Sequence, residues 1–196
     1  MLSHREKTSF LFQDEIRDYM TLQGVNRLIH NYEKALKKNL FPDMIGNKKS
    51  TNEIISLLKR NQFDIGPYCS ITIFEAANRI ASDRTLMDGV CLILKQPSWR
   101  DATVKLRLGT MHEKGCGDFT VQKDSKRVEG EAFDVAPSFF NSKLISTLKK
   151  WKDVNALNFI VFNAEVLNNN KCKQYCDLRL RGWRKLNDKR SAVWIR

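Results

Sequence analysis

The sequence predicts an α/β domain with a mixed central sheet and helices against both of its faces. Three observations carry that prediction. Residues 117–140 read as two strands joined by a polar turn: Phe119 and Val121 alternate with Thr120 and Gln122, and a second alternation runs over 128–135. Ahead of that hairpin, residues 103–108 (TVKLRL) alternate with Val104, Leu106 and Leu108 on one side and Lys105 and Arg107 on the other. Beyond it, the apolar run 158–162 (NFIVF) follows a helical stretch and fits a buried strand parallel to its predecessor across the helix.

The remaining elements follow in chain order. Residues 10–38 carry apolar side chains at three-to-four spacing, from Leu11 through Ile16, Leu28 and Tyr32 to Leu36, which predicts a largely helical segment that bends or divides at Gly24. Residues 41–49, with Pro42, Gly46 and Asn47, read as a loop. Ser50 or Thr51 caps a short helix with Glu53 in its first turn. After a turn at Gly66 and Pro67, Thr72 stands three residues before Glu75, the spacing of a capping box, and opens a helix to about Ser82 with Ile73, Ala76, Ala77 and Ile80 inward and Arg79 and Asp83 pointing elsewhere. The run 90–94 (VCLIL) is either a buried strand or the continuation of a helix. Pro137 stops the second hairpin strand, and Asn141 or Ser142 caps a helix through Trp151. This organises the chain as a helical part over 1–66, an α/β core over 67–170 and a basic extension over 171–196 of the same domain.

Composition narrows the partners. In 196 residues, 42% are hydrophobic and 29% charged, the proportions of a folded domain. The 34 Lys and Arg residues outnumber 22 Asp and Glu, and the net charge of +12 favours a polyanionic partner. Between 171 and 196, nine basic residues face two acidic ones, interleaved with Tyr175, Trp183 and Trp194. No stretch has the apolar length of a signal peptide or a membrane span, and five cysteines without disulfide-framework density suit a reducing cytoplasm. Cys172 and Cys176 read as thiols on a helix face. No Ser/His/Asp arrangement and no phosphate-cradling glycine motif is present, so acyl transfer and nucleotide hydrolysis lack support. His4 falls near the terminus, His30 on a helix surface and His112 in the loop before Gly117, near enough in sequence to act as a proton shuttle or simply as a polar loop residue.

The candidate chemistry lies in the hairpin. With a period of two, Glu129 and Glu131 share a face of the second strand with Phe133, and like charges at that spacing in apolar company need compensation. A divalent cation is the simplest, with Asp118 on the partner strand completing its ligand set. Asp118 and Glu131 are the expected ligands, with the Ala132 carbonyl a further one. Glu129 would bind a second metal or orient the attacking water, and Glu75 either caps its own helix or projects toward the cluster. Alternatively, both glutamates are solvent-facing partners of lysines.

Gly117-Asp118 on one strand, then Glu129-Gly130-Glu131-Ala132-Phe133 on the next, followed by a helix and NFIVF, resembles the core of the restriction-endonuclease-like nucleases, the PD-(D/E)xK superfamily, and in particular its type II restriction enzymes. The resemblance covers residues 70–163. It implies an αβββαβ core, Mg2+ dependence, hydrolysis of double-stranded DNA and a homodimer. Asp118 matches the motif's aspartate. The second acid is Glu131, leaving Phe133 where a lysine is usual, or Glu129, putting Glu131 in the lysine's place. Lys143 near the start of the next helix or Lys126 across the hairpin would then supply the missing charge. DNA would be held by Arg179, Arg181, Arg184 and Lys185 of the basic extension and by a smaller patch of Arg100, Lys105 and Arg107. The alternatives are a non-catalytic nucleic-acid binder and an RNA-processing nuclease.

Overall fold

The predicted hairpin forms as β5 (Phe119–Lys123) and β6 (Lys126–Phe133), joined through Asp124 and Ser125. Asp124 takes a left-handed backbone (φ 53°), a conformation that aspartate tolerates better than most residues. The computed structural model describes residues 8–38, 50–109, 115–152, 156–188 and 190–196. The expected loop at 41–49 and the positions of His4 and His112 lie outside the described residues.

The strand at 103–108 is β4 (Thr103–Leu106), antiparallel to β5. NFIVF lies in β7 (Leu157–Asn163), which runs parallel to β6 after a crossover through α4 (Pro137–Lys150). Pro137 opens this helix instead of separating it from the strand, because a helix's first turn does not need the missing N–H. The expected caps Asn141 and Ser142 therefore fall inside it.

The residues after 170 are not an appendage. They form α5 (Asn170–Arg179), β8 (Arg184–Asn187) and β9 (Ser191–Ile195), and β9 inserts beside β7 with all five residues buried. The sheet order is β4-β5-β6-β7-β9-β8. Lysines and arginines at the ends of these strands masked the apolar run Ala192, Val193, Trp194 and Ile195.

One face of the sheet packs on α3 (Ile73–Leu94), a single 22-residue helix. The helix predicted to end near Ser82 continues through VCLIL. Its weak amphipathicity follows from burial on several sides, by the sheet, by α1 (Leu22–Lys38) and by α2 (Thr51–Lys59), which leaves no polar stripe over its second half. At Gly89 the helix runs so close to β7 that a Cβ would collide with Val161. Ala77, expected inward, is exposed. The other face buries Phe133, Ile160, Phe162 and Trp194 beneath Phe140 and Leu144 of α4 and the thiols of Cys172 and Cys176 of α5, so helices cover both faces as predicted.

The first 66 residues are less helical than their periodicity suggests. Within the stretch 10–38 expected to be helical, residues 11–18 form turns and bends and Leu22–Lys38 is helix. A small antiparallel sheet, β1 (Ser9–Phe10), β3 (Tyr68–Thr72) and β2 (Gln62–Ile65), crosses the expected boundary at 67. Apolar spacing there reflects Phe10, Phe12, Ile16 and Tyr32 packing on one another against α3, which burial in an irregular segment satisfies as well as a helix does. Ser50 caps α2 with a reciprocal Glu53 bond, as predicted.

Candidate active site

The Asp118 end of the β5–β6 hairpin borders a cleft of about 380 Å³. It lies between the first half of α3, the residues after β4 and β6, and the second turn of α4. Asp118, Ala132, Asp134 and Asp83 bring acidic and main-chain groups to its wall, and Arg79, Arg107 and Lys143 bring positive charge.

Asp118 directly precedes Phe119, whose cross-strand partner is Gly130. Continued by one step, this register sets Asp118 beside Glu131. Gly117 makes that approach possible, since a Cβ there would strike the Gly130 carbonyl. Asp118 Oδ2 accepts the Ala132 N–H at 2.8 Å. Burial, then the Glu131 charge, raise the Asp118 pKa, with the Ala132 N–H, Lys150 and Lys143 opposing. The two carboxylates are thus close enough to repel.

Glu131 itself is buried. Its Oε1 accepts from Lys150 Nζ at 2.5 Å and Trp151 Nε1 at 2.7 Å, both supplied by the end of α4. Among the described residues, Glu131 Oε2 and Asp118 Oδ1 take no hydrogen bond, leaving each acid one oxygen for a further ligand.

Glu129 does not join them. It turns to its own strand pair, accepting from the Thr120 hydroxyl at 2.9 and 3.0 Å and from the Gly117 N–H at 3.0 Å. Arg127 approaches it to 3.4 Å and Arg107 to 3.7 Å. A buried carboxylate with this many donors is a structural anion that ties the hairpin to β4. The expected convergence of three acids is therefore replaced by a pair: no group of three His, Cys, Asp or Glu side chains among the described residues is placed to hold a metal.

Glu75 stays on its own helix. Its N–H donates to the Thr72 hydroxyl, while its carboxylate accepts from Arg79 Nε at 3.1 Å and Nη2 at 2.7 Å, outside the cleft. Lys143 does reach the cleft, its ammonium 5.8 Å from the centre of the Phe133 ring. Lys126 lies at the far end of β6, over Trp99.

The expected DNA-contacting residues do not form one surface. Arg107 is buried, its guanidinium donating to the Gly117 carbonyl at 3.1 Å, while its own N–H carries the β4–β5 pairing one step further to the Asp118 carbonyl at 2.9 Å. Lys105 is half-buried on β4, whereas Arg184 and Lys185 lie on β8 at the opposite sheet edge, about 24 Å away at 4.8 Å per strand. Arg179 and Arg181 are exposed, Arg179 over the Tyr175 ring and Lys185 over Trp194. Trp194 is itself buried and packs as a core residue.

Sequence reasoning missed Asp83, Arg79 and Asp134. Asp83 Oδ2 accepts from the Tyr32 hydroxyl at 2.8 Å and from the Tyr68 hydroxyl. Desolvation outweighs these bonds and raises its pKa to about 6. Arg79 donates from Nη1 to the Gly109 carbonyl at 2.6 Å. Asp134 accepts from the Thr85 hydroxyl at 3.0 Å. Asp83 gave no sequence signal, since Ser82, Arg84 and Thr85 beside it are polar too and read as one solvated stretch of the helix.

No helix among the described residues is long and apolar enough to cross a membrane. Comparison of the chain with family models, curated proteins and solved structures found no match.

Proposed function

We propose that the protein is a Mg2+-dependent endonuclease acting on double-stranded DNA, with the core of a restriction-endonuclease-like fold. The observation that carries this reading is the Asp118–Glu131 pair, set side by side across β5 and β6 at a cleft that Lys143 also enters. The order α3, β4, β5, β6, α4, β7, with β7 parallel to β6, is consistent with the αβββαβ arrangement that the motif implies.

Two carboxylates with one unengaged oxygen each, next to a main-chain position at Ala132, are the hard oxygen donors that magnesium takes alongside water. Burial, and after it the Glu131 charge, raise the Asp118 pKa, and a cation at this position would offset both. When bound, magnesium would neutralise phosphate charge and render a coordinated water more acidic. Lys150 and Trp151 hold Glu131 in place, as a preorganised ligand requires. Lys143 and Arg79 contribute positive charge where a phosphate enters, and the Glu75 pair fixes the Arg79 guanidinium. Sequence specificity and a homodimeric state belong to the same proposal.

The test is cleavage of long duplex DNA with and without Mg2+, with D118A and E131A alongside. Metal-dependent cleavage abolished in both variants is the expected result, and discrete fragments would assign it to a restriction enzyme. Full activity in either variant refutes the ligand pair. The Lys150 and Trp151 bonds to Glu131 favour one alternative, a non-catalytic binder in which that acid is purely structural. Salt-sensitive DNA binding without turnover at any Mg2+ concentration would establish it, and cleavage of RNA alone would establish the RNA-processing alternative.

A further inference from the structure

At the other end of the hairpin the molecule carries a second cleft, of about 470 Å³, bounded by the hairpin turn, the turn at Pro97–Trp99 and the strand ends near Arg184 and Arg196. Four cationic side chains line it, Lys123, Lys126, Arg184 and Arg196, against one acidic residue, Asp124. Two features separate this group from ordinary solvated surface charge.

The first is how the cations are held. Lys123 Nζ donates to the Ser98 carbonyl at 3.1 Å, Lys126 Nζ lies 5.3 Å from the centre of the Trp99 indole, and Arg184 Nη2 donates to the Gln96 amide oxygen at 3.3 Å. Each partner is neutral. None of the four cations forms an ion pair among the described residues, so three are positioned while their charge stays uncompensated. Trp99 is in turn fixed edge-on against Phe159, which makes it a rigid floor under Lys126.

The second feature is register. Lys123 and Lys126 are direct cross-strand partners. Like charges in that relation destabilise a sheet, and an anion between them removes the cost.

We infer that this cleft binds the phosphodiester backbone of duplex DNA, as a site separate from the acidic cleft. The two lie at opposite ends of β6, seven residue steps or about 23 Å apart at 3.3 Å per residue. The choice of DNA as the polymer rests on the proposed function, but the site does not need catalysis, and it is tested with the metal removed.

The experiment measures binding of a fluorescently labelled 20-base-pair duplex in EDTA by anisotropy over a series of salt concentrations. Wild type is compared with K126E/R184E, with K126Q/R184Q and with K34Q/K37Q. The expected result is at least a roughly tenfold loss of affinity in both double variants. Their log–log salt slope should fall by about 2, because two phosphate contacts each account for about 0.9. K34Q/K37Q, which removes two exposed lysines of α1 outside both clefts, should bind as wild type does. Unchanged affinity and slope in the glutamine variant would overturn the inference, as would wild-type protein that binds pyrophosphate but no duplex. Failure of Mg2+-dependent cleavage with the binding result intact would refute only the hydrolase reading.

Discussion

Asp83 shows how far one side chain's environment departs from its sequence context. On α3 it looks like a surface acid, yet it is buried at the cleft wall beneath two tyrosine hydroxyls. Its folded pKa, raised from 3.8 to about 6, means that the native state keeps a proton the unfolded chain has released. The stabilisation is therefore complete below about pH 4 and is lost as pH rises through 6. The displacement is worth about 3 kcal/mol. D83N, which keeps an acceptor for the hydroxyls, should gain about that much relative to wild type between pH 4 and pH 7, read from urea midpoints at each pH. An equal pH dependence in the two proteins would remove Asp83 as the cause. At Asp118 the shift is also upward, so an added cation should stabilise the ionised form. Millimolar Mg2+ is expected to raise the melting temperature of wild type and leave D118A unchanged, a binding readout independent of turnover. On the proposed function, K143A should preserve the fold and lower cleavage about a hundredfold, the scale of losing one charge-stabilising group; cleavage as fast as wild type would remove Lys143 from the site.

At the scale of elements, the hairpin and β4 were legible from their alternation, which Gly130 does not break because it occupies its place in the period, and β7 from a continuous apolar run bounded by asparagines. α3 was legible only in its first half. From Gly89 to Leu94 it carries no polar side chain but a thiol, and periodicity cannot separate a buried helix from a buried strand there. Its contact with β7 depends on Gly89, where G89A would push a methyl group into Val161. Overpacking of about 1–3 kcal/mol outweighs the helix-propensity gain of about 1 kcal/mol, so a net loss in urea stability is expected. A stabilised variant would show that the helix can shift. The Ser50 capping box makes a simpler case, and S50A should cost about 1 kcal/mol.

The whole molecule depends on one sheet with a core on each face. Because β9 lies between β7 and β8, deleting residues 184–196 takes out two strands at one side of the sheet, with the buried Val193, Trp194 and Ile195, and leaves β7 as a bare edge. Such a truncation should yield an unfolded chain, with collapsed near-ultraviolet circular dichroism, and not a folded protein that has merely lost positive charge. A truncated protein with native spectra would mean that the basic segment is detachable after all. The N-terminal segment is bound in equally firmly, since Tyr32 of α1 and Tyr68 of β3 meet at Asp83 of α3 and join the small sheet to the cleft.

By itself the sequence determined the local pairing: the hairpin, its Asp118 and Glu131 neighbours, the crossover to a parallel strand and the positive charge. Those follow from alternation, turn chemistry and composition, which act over a few residues. Tertiary structure alone decided which acids face the cleft. Glu129 and Glu131 have the same period and face, yet one is claimed by Thr120, Gly117 and Arg107 and the other by Lys150 and Trp151 at the end of a later helix. A buried charge is settled by the donors that packing brings to it, and those donors come from parts of the chain that no local pattern connects.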